Sequence, residues 1–241
     1  MADTTVAAGS TPAPMNVFSR FIGVITSPRA TFESVAAHPK WFGMALLTSV
    51  LIGIFAALPL ATPEGKQAYV DQSVKAVEQF GFEVNDQMYA GFQKSAERAV
   101  ITTAVSMLFA IPFSSLVASG ILFAIFNAAM GGTARFKQVF ATVIHSGVIS
   151  VLGAAFAGVI NYSRGSMDSS VANLGAALPM LPEGSFVANF AGMIDVFRIW
   201  GVIVMAMGLA VLYRRKTQPI ATTLFVIYAV IAIAVAAFMS R

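Results

Sequence analysis

The sequence lacks cysteine, and it carries far fewer charged residues than a soluble domain of its size. Without thiols the chain forms no disulfides and offers no thiolate ligands to a metal. Charged residues make up 11% of the 241 positions, whereas soluble domains average about 25%. With 57% hydrophobic residues, too few polar side chains remain to cover a water-soluble surface. Composition therefore predicts a membrane protein.

Recognisable catalytic motifs are also missing. The sequence has no P-loop, no Gly-Xaa-Ser-Xaa-Gly elbow, no His-Glu-Xaa-Xaa-His and no dinucleotide fingerprint. It has two histidines, and no carboxylate lies at a nearby helical spacing from His145, so a metal site is not expected. The net charge of +4 falls between apolar runs, which favours membrane orientation over nucleic-acid binding. We predict no enzyme activity and no cofactor.

Long apolar runs are what the sequence has instead. A helix needs about 20 apolar residues to cross the hydrocarbon core. Five runs approach or exceed that length: 42–60, 100–130, 139–160, 191–213 and 220–239. Helices are expected because single strands leave backbone groups unsatisfied in lipid. The sequence thus predicts an all-α polytopic membrane protein, with five transmembrane helices in a membrane domain over 41–241.

Basic residues set the predicted orientation. Three segments that fall on one side of a five-span protein carry most of the Lys and Arg, namely Arg20, Arg29, Lys40, Arg135, Lys137, Arg214, Arg215 and Lys216. Short basic links favour the cytoplasm, so we expect the amino terminus inside and the carboxyl terminus outside a bacterial inner membrane. Arg98, at the outer mouth of the second span, counts against this orientation.

The chain before the first span has two parts. Residues 1–14 are small, polar and Pro-containing without a signal-peptide pattern, and they predict a disordered cytoplasmic tail. Residues 15–40 predict two short amphipathic interfacial helices, with Arg20 opposite the apolar stripe of the first and Phe32 on the apolar face of the second. These helices anchor and orient the first span, or Arg20, Arg29 and Phe32 offer a docking surface to a cytoplasmic partner.

Two long loops lie on the predicted outer side. Residues 61–98 have apolar positions at helical spacing on both sides of Gly81, which predicts two amphipathic helices, the second continuing into span two. Residues 161–190 are rich in Gly, Ser, Asn and Pro, with one short interfacial helix expected over 169–178.

Three ionisable residues lie within or beside the spans, where such groups are costly and functional by default. His145 in span three is a proton relay or metal ligand, or a neutral group hydrogen-bonded to a neighbouring helix. Asp195 and Arg198 share a helix face at the start of span four. They form an intrahelical ion pair, or a polar gate or substrate contact. Together the three residues are the candidate polar intramembrane site.

Two further features concern helix packing. Pro112 removes a backbone hydrogen bond from span two, which predicts a static kink or a hinge. Gly147, Ser150, Ala154 and Gly158 advance by three and four residues and form one small face on span three. That face is an internal packing seam or a homo-oligomer seam, and both readings stay open.

Three motifs carry a family resemblance: SPRATFE at 27–33 followed by HPKW at 38–41, GGTARFKQV at 131–139, and DVFRIW at 195–200. In order and spacing the chain resembles the bacterial branch of the Yip-type (Ypt/Rab-interacting) integral membrane proteins. The resemblance implies a five-span helical domain with a cytoplasmic amino terminus. Eukaryotic members bind small GTPases in vesicle traffic, but their Asp-Leu-Tyr-Gly-Pro motif is absent here, so GTPase binding is not carried over.

Two functions remain from the sequence. The favoured one is a non-enzymatic scaffold that organises the lipid bilayer or partners, through homo-oligomers or other membrane proteins. The alternative is a small transporter or channel component with its polar site at His145, Asp195 and Arg198. A water-accessible cavity lined by these residues would favour transport, and single, packed side chains would favour the scaffold.

Overall fold

The structure is a computed structural model that describes residues 13–167, 172–182 and 184–240. Within these residues the chain forms ten α-helices and contains one isolated β-bridge but no strand. The helices in chain order are α1 (Val17–Thr26), α2 (Pro28–Ala37), α3 (Phe42–Ala57), α4 (Pro63–Gln79), α5 (Asp86–Phe123), α6 (Phe136–Ser146), α7 (Val148–Arg164), α8 (Phe186–Met193), α9 (Val196–Leu212) and α10 (Thr217–Met239).

The helices run between two ends of one bundle. Helices α1 and α2 pack against each other as the amino-terminal hairpin. One end of the bundle, the hairpin end, contains this hairpin and the turns at 131–135 and 213–216. The other, the loop end, contains α4, α8 and the last turn of α10. Arg29 and Lys216 line one cavity at the hairpin end, while Asn189 donates a 3.1 Å hydrogen bond to Ser240 at the loop end. The chain traverses the bundle five times, and its basic segments lie together at the hairpin end.

Three of the traverses are long and apolar enough to cross a membrane by length and composition: Asp86–Ala129, Phe136–Arg164 and Thr217–Met239. The traverses α3 and α9 have 16 and 17 residues, a length of about 24–26 Å at 1.5 Å per residue. A 3₁₀ turn, Pro59–Ala61, extends α3 beyond its last helical turn. The predicted all-α polytopic membrane fold is confirmed.

The second and third traverses differ in detail from the predicted spans. Helix α5 begins at Asp86, runs without interruption through Pro112, and continues as a π-helix over Ala124–Ala129. The third traverse is divided at Gly147, whose N–H lies 3.2 Å from the carbonyl oxygens of both Val143 and Ile144. This tightened turn separates α6 from α7, a break that the sequence pattern does not predict.

The predicted helix over 169–178 is not found in the described part of that loop. Residues 168–171 lie outside the described residues, and 172–178 form turns and a bridge. The helix here is α8, with Ser185 as its N-cap; the Ser185 hydroxyl accepts a 3.2 Å hydrogen bond from the N–H of Ala188. The fourth traverse consequently starts at Val196 rather than at 191.

Most of the predicted tail, 1–12, also lies outside the described residues. Ala13 is described, and its carbonyl accepts a 3.1 Å hydrogen bond from the Ser34 hydroxyl. The chain is therefore fastened to α2 from residue 13 onward, earlier than the predicted boundary at residue 14.

The buried core is concentrated around α6 and α9. Every residue of α6 from Val139 to Ser146 is buried. Two apolar clusters share these helices: one joins them to α1, α2 and α3, the other to the end of α5 and to α10. Among the largest fully buried side chains of the two clusters are Phe32, Phe126, Met44, Ile144, Ile149, Leu209 and Ile220. The amino-terminal hairpin is thus part of the core and is not a separate surface element.

Candidate functional site

His145 is completely buried in the last turn of α6. Its Nδ1 lies 2.6 Å from the carbonyl oxygen of Ala141, one turn earlier in the same helix. A carbonyl oxygen only accepts, so Nδ1 is the donor in this contact. Nε2 is buried without a hydrogen-bond partner among the described residues. The partner of His145 is thus its own helix, and not the neighbouring helix that the sequence suggests.

Arg20 is also buried, with 2% of its surface exposed. Its guanidinium donates to the carbonyl oxygens of His38 (2.9 Å) and Lys40 (3.3 Å) and so ties α1 to the link between α2 and α3. Burial lowers the pKa of Arg20, although arginine stays charged in proteins.

Asp195 is the N-cap of α9. One carboxylate oxygen accepts hydrogen bonds from the N–H groups of Phe197 (2.8 Å) and Arg198 (3.1 Å), which otherwise have no partner in the first turn. Asp195 also forms the isolated bridge with Asn173, which fastens the 172–174 segment to the start of α9. Its Oδ2 is buried without a hydrogen-bond partner among the described residues.

The expected ion pair between Asp195 and Arg198 is not formed. The Arg198 side chain is exposed, and its guanidinium lies 3.7 Å from the sulfur of Met193. The cause is the cap: Asp195 precedes the first helical residue, and its carboxylate turns toward the backbone of Arg198 instead of the guanidinium. Arg29 and Glu33, by contrast, form an ion pair, with 3.7 Å between Nε and Oε1.

The structure does not bring the three candidate polar residues together. Gly208 on α9 lies beside Thr142 on α6, and the two helices run in opposite directions. Counting 1.5 Å per residue from that contact places Asp195 about 15 Å along the bundle axis from His145. Neither His145 nor Asp195 lines any of the five main surface cavities of the described residues. In the described residues no cluster of three His, Cys, Asp or Glu could hold a metal ion.

The predicted small-residue face does not act as one seam. Gly158 meets α3, because a Cβ at this position would run into the backbone carbonyl of Phe55. Ala154 is half-buried and Ser150 is exposed. Gly147 forms the break between α6 and α7. The face is internal at one end and open at the other, and its role in a homo-oligomer stays a prediction.

The predicted docking surface is likewise divided. Phe32 has 1% of its surface exposed and packs on α9, so it cannot touch a partner. Arg20 is buried as described above, which corrects its expected position on the polar outer side of α1. Of the three predicted residues only Arg29 is exposed. What α1 exposes instead is Phe18 and Ile22.

A cavity that the sequence does not predict lies at the hairpin end. Its volume is about 580 Å³, and its walls combine α2 with the turn between α9 and α10. The charged residues around it are Arg29, Glu33, Arg214, Arg215 and Lys216. The clustering of Arg214 to Lys216 is visible in the sequence, but its convergence with Arg29 depends on how α2 packs against α9.

These features define a polytopic α-helical membrane protein in whose described residues no group of His, Cys, Asp and Glu could hold a metal ion. The Yip1 domain model matches residues 22–239, almost the entire chain. The chain therefore belongs to the Yip1 domain family. No curated protein and no solved structure matches it significantly. Assignment to the bacterial branch of the family stays a prediction.

Proposed function

We propose that this protein is a non-enzymatic membrane scaffold that binds partner membrane proteins through the outer face of its amino-terminal hairpin. The observation that carries the proposal is the orientation of α1. Phe18 and Ile22, one turn apart, are 66% and 60% exposed, while Arg20 between them points into the protein. An apolar pair displayed outward on a fixed helix is suited to contact with another protein at the membrane surface.

The hairpin is held firmly enough to transmit such a contact to the bundle. Gly23 allows α1 to approach α2 closely, because a Cβ at Gly23 would clash with the hydroxyl of Thr31. The Gln138 side chain on α6 donates a 2.9 Å hydrogen bond to the carbonyl of Ala36 on α2. A partner bound to α1 therefore engages the whole membrane domain and not a freely moving arm.

The transport alternative gains no support from the polar residues. His145 bonds within its own helix, Asp195 caps another helix, and Arg198 is exposed. Single, separated side chains of this kind favour the scaffold over the transporter.

For the same protein we propose a bacterial inner-membrane location with the hairpin end in the cytoplasm. The concentration of basic turns at this end supports the orientation. An alkaline phosphatase fusion after Arg241 should be active because the carboxyl terminus lies outside. A fusion that reports a cytoplasmic terminus would contradict this orientation.

The test of the scaffold uses a photo-crosslinking amino acid at position 18 or 22 in living cells. Phe109 provides a matched control, since it is a phenylalanine with 72% exposure on α5, a helix that is not packed against α1 or α2. We expect defined protein adducts from 18 and 22, and mainly lipid adducts from 109. Solute flux in liposomes that Asp195→Asn abolishes would overturn the proposal.

A further inference from the structure

The cavity at the hairpin end has the chemistry of an anion site. Four cationic side chains line it, from Arg29, Arg214, Arg215 and Lys216, against the single carboxylate of Glu33. Arg29 and Glu33 form a 3.7 Å pair with both side chains largely exposed, which neutralises little of the surplus. The remaining three cations have no carboxylate partner among the described residues.

The backbone around the cavity also favours an anion. Helix α10 begins at Thr217 on the cavity wall, and Lys216, its N-cap residue, makes no side-chain hydrogen bond to the first turn. The N–H groups at the start of a helix carry partial positive charge and point toward a bound anion. The cationic side chains and this helix end therefore face the same space.

The turn that presents the cations is well defined. Arg214 has a left-handed backbone with φ of 52°, which is uncommon for a residue with a Cβ. The N–H of Arg215 donates to the carbonyl of Ala210 (2.9 Å), and its guanidinium donates to the carbonyl of Met130 (2.8 Å). This contact uses one of the five guanidinium N–H groups, so several remain for a ligand.

Helix α2 forms the second wall of the cavity, and its position depends on core packing against α9. Phe32 on α2 lies against Gly208, where an added Cβ would sit 2.9 Å from the phenyl ring. This contact fixes α2 against α9 and places Arg29, one turn before Phe32, over the turn at 213–216. Arg29 is far from that turn in the sequence, so the site exists only in the folded bundle.

The floor of the cavity is apolar. Met207, Ala210 and Val211 from the last turns of α9 form it. A free inorganic anion has no apolar part that could contact these residues. A phospholipid places its phosphate beside the cations and its first acyl carbons on the apolar residues. Basic pockets between transmembrane helices at the membrane surface bind anionic headgroups in this way.

We propose that this cavity is a binding site for an anionic phospholipid, with the headgroup phosphate held by Arg29, Arg214, Lys216 and the start of α10. Arginine is suited to the phosphate because its planar guanidinium donates two parallel hydrogen bonds. The bound lipid would bridge the amino-terminal hairpin and the α9–α10 turn.

The test is native mass spectrometry of the full-length protein in detergent, with phosphatidylglycerol and phosphatidylcholine offered in equal amounts. The test variant is Arg29→Gln with Lys216→Gln. The matched control is Lys40→Gln with Arg135→Gln, which removes one Lys and one Arg from the same end, and both residues are exposed and outside the cavity. We expect the wild type and the control to retain phosphatidylglycerol, and the test variant to bind it about tenfold more weakly.

Three results would overturn the proposal. They are equal retention of both lipids by the wild type, an equal loss of binding in the two double variants, and displacement of the lipid by inorganic phosphate at equal concentration. The last would assign the site to a free anion. Thermal unfolding of each variant checks the fold, and the single variants Arg29→Gln and Lys216→Gln provide the measurement if the double variant unfolds.

Discussion

Helix α5 and the α6–α7 traverse are similar in composition but occupy opposite environments. Their most apolar stretches have nearly equal mean hydropathy, yet 11% of that stretch is buried in α5 and 44% in α6–α7. The outward face of α5 shows Ile101, Val105, Phe109, Phe113 and Ile121. In α6 even the polar side chains of Thr142, His145 and Ser146 are buried.

The difference shows what hydropathy measures in a membrane protein. Lipid is as apolar as a leucine side chain, so an apolar residue can face lipid or protein at similar cost. Polar side chains do not have this freedom, because lipid offers them no hydrogen bond and the protein must supply the partner. Thr142, His145 and Ser146 each find a carbonyl one turn earlier in α6. Buried small and polar residues therefore mark the helix at the centre of the bundle.

The largest contrast is expected from phenylalanine truncation. Phe32→Ala should lower the free energy of unfolding by about 3–5 kcal/mol, because it leaves a cavity between α2 and α9. Phe109→Ala on the outer face of α5 should change it by less than about 1 kcal/mol, since lipid fills the space. Denaturant titration in mixed micelles measures both. Equal losses would mean that α5 is not a lipid-facing helix in the folded protein.

Two glycine-to-alanine substitutions, one in α7 and one in α5, test the same difference between a buried and a lipid-facing helix. Gly158→Ala should destabilise by about 1–3 kcal/mol, because the new Cβ meets the carbonyl of Phe55 and forces α7 away from α3. Gly120→Ala in α5 has no neighbouring atom within 4 Å and should stabilise by about 0.5–1 kcal/mol. If Gly158→Ala is as benign as Gly120→Ala, the close approach of α3 and α7 is wrong.

A smaller effect is expected from the cap of α9. Asp195→Ala should cost about 0.5–2 kcal/mol, because two N–H groups in the first turn lose their acceptor. Asp195→Asn keeps an acceptor oxygen and should cost a few tenths of a kcal/mol. Thermal unfolding of the two variants separates them. Equal losses for Asp195→Asn and Asp195→Ala would show that the negative charge, and not the acceptor oxygen, accounts for the stabilisation, because both variants are neutral and Asp195→Asn alone keeps an acceptor.

The smallest effect is expected at Arg198. Arg198→Gln should leave the unfolding temperature within about 1 °C of wild type, because its exposed side chain forms no ion pair with Asp195. A double-mutant cycle with Asp195→Asn should give a coupling energy close to zero. A coupling above about 1 kcal/mol would restore the predicted ion pair.

The sequence identifies the membrane class and the approximate traverses because both follow from run length and composition. It also places the basic turns at one end. Successive traverses run in opposite directions, so every second turn lies on the same side. It does not predict the break at Gly147, because a local tightening of a helix leaves no change in hydropathy. It also misses the cap role of Asp195, because the exact start of a helix is not visible in the sequence. A residue just before the start caps the helix, whereas one position later it would lie in the first turn.

The position of Arg20 is the most instructive error. An apolar stripe on a surface helix of a soluble protein faces the core, and that rule places Arg20 outward. In the structure Val17, Phe21 and Ile25 of this stripe pack against the core, and only Phe18 and Ile22 face outward. Arg20 turns inward as well, because the protein supplies acceptors for its guanidinium. The carbonyls of His38 and Lys40 supply them. These acceptors come from a link about twenty residues away, which no helical pattern reveals.

The distinction between a lipid-facing α5 and a central α6 can be measured on the unmodified protein. A phospholipid with a photoactivatable acyl chain, incorporated in nanodiscs, labels side chains that touch lipid, and mass spectrometry maps the adducts. We expect adducts on 101–121 of α5 and 226–233 of α10, and almost none on 139–149. Labelling of 139–149 at a level equal to 101–121 would contradict the arrangement described here.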